Sequence, residues 1–153
     1  MEEINIALQL EKNGYAFYKK ASSLCKNIYG KKMFEKLAED EIRHLEKFRE
    51  IAKDIFGDFA EKEIDIDNIF GKIDFSTRAG EYAALEYAID FEKKAYDYFK
   101  RASENAKDAK LKELFKNIAK EEEMHKELLE AERNYLHKSG IWFDHQEFFM
   151  DGL

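Results

Sequence analysis

Proline is absent from this sequence and glycine is scarce, at seven of 153 residues. With no residue that removes a backbone donor and few that loosen the chain, long uninterrupted helices are easy to build. Cys25 is the only cysteine. That excludes an intrachain disulfide framework and a CxxC metal knuckle, and it fits a reducing, cytoplasmic setting. Cys25 itself reads as a small buried hydrophobe rather than a reactive thiol. No run approaches the ~18–20 apolar residues of a membrane span, and the acidic opening MEEINIALQLEKNGY lacks the features of a signal peptide. A soluble, intracellular protein without a membrane partner is expected. Positive charge is also in deficit, with 26 Lys and Arg against 33 Asp and Glu and a net charge of −7. A nucleic-acid partner would want a basic face, so none is expected.

What the chain does hold is helix-forming residues in helical register. The length suits one domain with a continuous core. Charged residues make up 39% of it, as solvated helix faces laced with Glu–Lys pairs or as carboxylates gathered inside to bind cations. Ile4, Ala7, Leu8, Leu10, Tyr15, Phe17, Tyr18 and Ala21 mark a first amphipathic helix, about 4–26. Gly14 inside it costs about 1 kcal/mol relative to Ala, which implies a close approach there. Gly30 is expected to mark the first turn. A second helix carries Met33, Phe34, Leu37, Ala38, Ile42, Leu45, Phe48, Ile51 and Ala52, and ends before Gly57. Residues 57–76 break the pattern and read as a long connection. Ser76 or Thr77 can cap a third helix running to about Ala106, and Asp108 a fourth ending near Ser139-Gly140. The apolar tail 140–153, with Trp142, Phe143, Phe148, Phe149 and Met150, should dock on the bundle or on a partner subunit.

Sliding the chain on itself by 81 residues exposes an internal repeat. ALQLEKNGYAFYKKAS (7–22) lies over AIDFEKKAYDYFKRAS (88–103), and FEKLAEDEIRH (34–44) over FKNIAKEEEMH (115–125), without a gap. A helical hairpin is thus used twice, in halves about 4–55 and 77–139. Joined by one long crossover, the two hairpins predict an all-α four-helix bundle with a pseudo-two-fold axis, forming a single domain over 1–153.

The repeat carries chemistry. Glu41-x-x-His44 and Glu122-x-x-His125 put a carboxylate and an imidazole on one helix face, about 5–6 Å apart at Cβ, so both can reach one metal ion or bridge a pair. Glu11 and Glu92 match each other under the same shift, and both sit among apolar neighbours. A carboxylate on a core face is costly unless paired, protonated or coordinated. Four converging without a cation would raise each other's pKa values, and two divalent cations would resolve the conflict. Asp40 and Glu121 lie four residues before the same histidines and could share that face. Glu39, Glu123 and Glu127 are expected in solvent, and His137 and His145 at the surface or in the tail.

One Glu on the first and third helices with Glu-x-x-His on the second and fourth resembles the ferritin-like di-iron carboxylate superfamily, most closely its rubrerythrin branch, over residues 4 to about 136. The resemblance implies a ferritin-like bundle holding two iron ions, with manganese possible, on Glu11, Glu41, His44, Glu92, Glu122 and His125. Glu41 and Glu122 would bridge, Glu11 and Glu92 would be terminal or bridging, and each His would cap one ion. Tyr18 resembles the family tyrosine that hydrogen-bonds a ligand carboxylate, a catalytic role; its repeat counterpart is Phe99. Tyr15 and Tyr96 could serve instead, and all three also read as plain core aromatics. Two departures matter. Ala95 stands where peroxidase rubrerythrins carry a further Glu, and one cysteine cannot build their rubredoxin-like iron site. The activity implied is oxidoreductase action, reduction of peroxide in oxidative-stress defence. Its expected partners are peroxide or dioxygen, an external electron donor such as a rubredoxin-like protein, and a second copy in a homodimer. Ferroxidase action or iron storage, a metal-stabilised interaction module, and an oxygenase are the other readings.

Overall fold

The computed structural model describes residues 2–61 and 73–145. Four helices account for most of them: α1 (Glu2–Leu24), α2 (Ile28–Phe56), α3 (Arg78–Asn105) and α4 (Ala109–Ser139), with no strand among the described residues. Their ends follow local chemistry. Asn27 accepts from the Tyr29 and Gly30 amides at the start of α2. Thr77 accepts from the Gly80 amide ahead of α3, and Asp108 from the Leu111 amide ahead of α4. Gly140 closes α4 in the left-handed region, at φ 75°, where a side chain is disfavoured.

The first turn differs from expectation. It lies at Cys25–Asn27, and Gly30 belongs to the first turn of α2. A Cβ at Gly30 would lie 2.6 Å from Cys25 Sγ and 3.0 Å from the Trp142 ring. The glycine therefore permits close packing and makes no turn. Cys25 is buried as expected, and burial pushes its thiol up to about 11, which keeps it protonated.

Packing is densest within each hairpin, α1 on α2 and α3 on α4. Apolar side chains form two layers. One gathers Ile4 and Leu8 of α1 with Leu45 and Phe48 of α2, Phe99 of α3 and Phe115 of α4. The other gathers Phe17 and Tyr18, Phe34 and Leu37, Leu85 and Ile89, and Leu128 and Leu136. The start of α1 therefore meets the ends of α2 and α3 and the start of α4. Because α2 and α3 run parallel, their connection must return along the length of the bundle. Part of that crossover, and Phe148, Phe149 and Met150 of the tail, lie outside the described residues. Trp142 does dock on the bundle: it is buried edge-on to Phe34, and its indole N–H donates to Glu81. Phe143 is half-buried against Tyr135. No helix among the described residues is long and apolar enough to cross a membrane.

Candidate metal centre

Between the two apolar layers, where a core would ordinarily continue, the four helices contribute charge. Glu41, His44, Glu92 and Glu122 are fully buried, Glu11 is 1% exposed and His125 6%. The register that buries Leu8, Leu45, Ile89 and Leu128 leaves these positions no other direction to face. All six residues of the repeat set are brought together, in two overlapping groups. Glu11, Glu41, His44 and Glu122 form one, and Glu41, Glu92, Glu122 and His125 the other, each with a ligand atom from every member within 4.8 Å of the rest. Glu41 and Glu122 belong to both. Glu11 with His44, and Glu92 with His125, each belong to one.

Both histidines turn Nδ1 inward. His44 Nδ1 lies 3.3 Å from Glu11 Oε2 and 3.1 Å from Glu122 Oε1. His125 Nδ1 lies 3.4 Å from Glu92 Oε1 and 3.5 Å from Glu41 Oε1. Both Nε2 atoms turn outward to an acid on the opposite hairpin. His125 Nε2 pairs with Asp40 Oδ2 at 2.9 Å, and His44 Nε2 with Glu121 Oε2. Asp40 and Glu121 are themselves related by the 81-residue shift. Sharing the histidine's helix is thus not what recruits them; each orients the histidine of the other half. A carboxylate on the far nitrogen of a ligating histidine fixes its tautomer and raises its basicity. Arg43, which nothing in the sequence singled out, ties the pair together. It donates to both Glu121 oxygens, at 2.7 and 3.3 Å, and reaches Asp40 at 3.5 Å.

The electrostatics record an unresolved conflict. Burial, then the neighbouring Glu41 and Glu122, hold Glu11 well above the usual carboxylate range. Burial and Glu122 raise Glu41, and burial and Glu92 raise Glu122 to about 8. Burial alone would lower both histidines. Glu11 and Glu121 beside His44, and Glu92 and Asp40 beside His125, overcome it and raise both well above their ordinary value. Outside the cluster the sign reverses. Burial would raise Asp40 and Glu121, but His125 and Lys36 hold Asp40 below its usual range, and His44 and Arg43 bring Glu121 down to about 2. These two stay ionised while Glu11, Glu41 and Glu122 are pushed to hold protons.

A pair of divalent ions fits this donor set. Glu11 Oε1, both oxygens of Glu41, Glu92 Oε2, both oxygens of Glu122 and His125 Nδ1 are buried without a hydrogen-bond partner. Orphaned buried polar atoms of this number are costly in a native core. Carboxylate and imidazole donors suit iron and manganese alike.

The other expected residues sort clearly. Tyr18, fully buried, donates to Glu92 Oε1 at 2.5 Å, whereas Phe99 stacks on Phe48. Tyr15 is half-buried and accepts from Lys19 instead, and Tyr96 is half-buried beside a surface groove. Gly14 does mark a close approach, since a Cβ there would lie 2.9 Å from Glu41 Oε2. Glu39, Glu127 and His137 are exposed and Glu123 is half-buried. His145 lies in the tail as expected, but it is buried there, at 8% exposed. One further acid, Glu132, is buried with no motif or repeat partner to mark it. It is fully buried, accepts from the Phe143 amide at 3.3 Å, and is raised by burial to about 8.

Comparison with known proteins agrees with this geometry. The model of the rubrerythrin family matches residues 2–133. The chain belongs to the rubrerythrin family. This rubrerythrin also resembles a solved structure, a hypothetical protein from Pyrococcus furiosus, with a TM-score of 0.73 and 19% identity over 90% of this chain and 89% of that one. That likeness speaks for the helical fold. No curated protein matches the chain.

Proposed function

We propose that this rubrerythrin is a di-iron carboxylate oxidoreductase that reduces peroxide, drawing electrons from an external donor. The observation that carries the reading is the pair of overlapping donor sets, buried, related by the internal two-fold and rich in unsatisfied oxygens. Glu11 and His44 would hold one ion, Glu92 and His125 the other, with Glu41 and Glu122 shared; manganese is the alternative metal. When bound, the two ions supply a two-electron redox couple with positions open to a small oxidant.

The protein's own residues do the rest. The apolar layers keep bulk water from the carboxylates. Tyr18 fixes the orientation of Glu92 and is the nearest hydroxyl that can hold a proton beside it. Asp40 and Glu121 fix the imidazoles. A cleft of ≈ 300 Å³ between α2 and α4, lined by Lys36, Arg43 and Met124, reaches His125 and gives a molecule of peroxide size a way in. Overall, one peroxide takes two electrons and two protons and leaves as two waters.

Ferroxidase action is the second reading. Ala95, buried in the apolar layer, supplies no further carboxylate where peroxidase rubrerythrins have one. A homodimer in a reducing, cytoplasmic setting belongs with the peroxidase reading, and the single cysteine fits that setting. The test is to load the anaerobic protein with ferrous iron, count bound metal, and compare oxidation by peroxide and by dioxygen. We expect two ions per chain, fast oxidation by peroxide, and loss of both in Glu41→Ala with His44→Ala. Less than about one ion per chain, unchanged in that variant, would sink the di-metal reading. Faster reaction with dioxygen, in a large cage-like particle by size exclusion, would favour iron storage.

A further inference from the structure

On a chain with seven negative charges in excess, one groove is basic. It lies between α3 and α4, encloses ≈ 450 Å³, and is lined by Lys100, Lys112, Lys116 and Lys120 against two acids, Glu104 and Glu123. All four lysines are exposed. None has a carboxylate within ion-pair distance among the described residues; Lys112 reaches only the Glu104 carbonyl, and Lys100 lies over the Tyr96 ring.

The internal repeat supplies a control within the molecule. Shifted back by 81 residues, the groove keeps its frame: Tyr96 becomes Tyr15, Ser103 Ser22, and Ala119 Ala38. Lys100 and Lys112 remain lysines, Lys19 and Lys31. Lys116 and Lys120, however, become Glu35 and Glu39. The same helical hairpin thus folds with either sign at these two exposed places. Bundle architecture does not call for the positive charge, so its presence on one half only points to a partner.

The groove also sits behind the metal centre. Ala119, on its floor, precedes Glu122 by three residues, about 4.5 Å of helix rise, and Tyr96 follows Glu92 by four, about 6 Å. The chain carries one cysteine, so a four-cysteine iron site cannot be built within it. We propose that this groove docks the electron donor, a small acidic one-electron carrier protein; the inference rests on the peroxide-reduction reading. Two donor molecules dock in turn. Each is oxidised by one electron, and the pair, with two protons, cleaves the O–O bond of one peroxide to give two waters. Opposite charge would steer and orient a short-lived complex of this kind, with an interface at the small end of the range.

Recombinant rubredoxin is a suitable acidic probe. Its binding to the full-length, iron-loaded protein is measured by calorimetry, and its oxidation by peroxide in stopped flow, across a salt series. The variant Lys116→Glu with Lys120→Glu puts at these two positions the residues of the other half, Glu35 and Glu39. We expect its affinity for rubredoxin and its kcat/KM to fall by about tenfold or more at low salt, the gap closing as salt screens the charges. Metal content and peroxide turnover with dithionite should stay unchanged. Lys47→Glu with Lys53→Glu, the same change in net charge elsewhere, should move binding by less than about twofold. An equal loss in that control, no loss in the groove variant, or tighter binding of a duplex oligonucleotide than of rubredoxin at the lysines overturns the proposal. Failure of peroxide turnover with dithionite in the unmodified protein would instead defeat the peroxidase reading, while rubredoxin binding would still decide the surface.

Discussion

Gly14 separates what the fold needs from what the metal centre needs. It lies mid-way along α1, where alanine is favoured over glycine by about 1 kcal/mol. The Cβ of Gly14→Ala would meet Glu41 Oε2 at 2.9 Å and Glu41 Cδ and Phe91 Cε1 at 3.1 Å. Each contact is short by a few tenths of an ångström, so Glu41 must give way. In the metal-free protein it can do so cheaply, because neither of its oxygens has a hydrogen-bond partner. Helix propensity and displacement then offset each other, and stability should stay within about 1 kcal/mol of the parent. Metal binding has no such freedom. Glu41 belongs to both donor groups, and coordination distances tolerate only about 0.2 Å. We expect affinity for Mn2+ or anaerobic Fe2+ to fall about 10–100-fold, the range seen when support of a metal ligand is lost. Urea unfolding of the metal-free protein and calorimetric titration of the metal read the two effects separately. Unchanged affinity, or a loss of more than about 3 kcal/mol in the metal-free protein, would refute the argument.

Two further variants probe the surrounding acids. Glu132 is raised from 4.5 to about 8 by burial, so the folded state binds a proton that the unfolded state releases. Its favourable contribution is complete below about pH 4.5 and fades as pH rises to about 8, a difference of roughly 3–5 kcal/mol. Glu132→Gln should flatten that decline and be the more stable protein at pH 9 in urea unfolding; an undiminished slope would exonerate Glu132. Asp40→Asn removes the charged partner of His125 Nε2. It should weaken one of the two ions about 10–100-fold and spare the other, giving a two-phase isotherm, and equal weakening of both ions would contradict the cross-paired arrangement.

The helices and the six inner residues were legible because each signal stays within one helix or one repeat. Periodicity fixes a helix face, capping residues fix its ends, and the 81-residue shift relates the halves. What the sequence hid depends on how helices meet. Spacing placed Asp40 and Glu121 near the histidines of their own helices, whereas each serves the histidine across the bundle. A ring has two nitrogens, and only assembled geometry says which faces inward. Gly30 has the composition of a turn, and its true role depends on Trp142, over a hundred residues away. Glu132 had no repeat partner to flag it, since Ile51 occupies the matching place.

Where the halves agree and where they diverge follows a physical division. Two ions in equivalent positions would need equivalent donors, and the inner six residues, with Asp40 and Glu121 behind them, obey the two-fold. The departures lie around that symmetric centre. Tyr18 answers to Phe99, so Glu92 receives a hydroxyl and Glu11 receives none from that position. Arg43 answers to Met124, and both line the cleft that reaches His125, so one wall carries a guanidinium where the other carries a thioether. Lys116 and Lys120 answer to Glu35 and Glu39, on the outer faces of opposite hairpins. Two unlike reactants are served better by two unlike surfaces than by two copies of one. A small oxidant needs a passage to the ions, while a protein donor needs only a face close to them. On the function proposed, the cleft between α2 and α4 serves the first and the lysine groove between α3 and α4 the second, so that duplication built the centre and divergence gave it two different approaches.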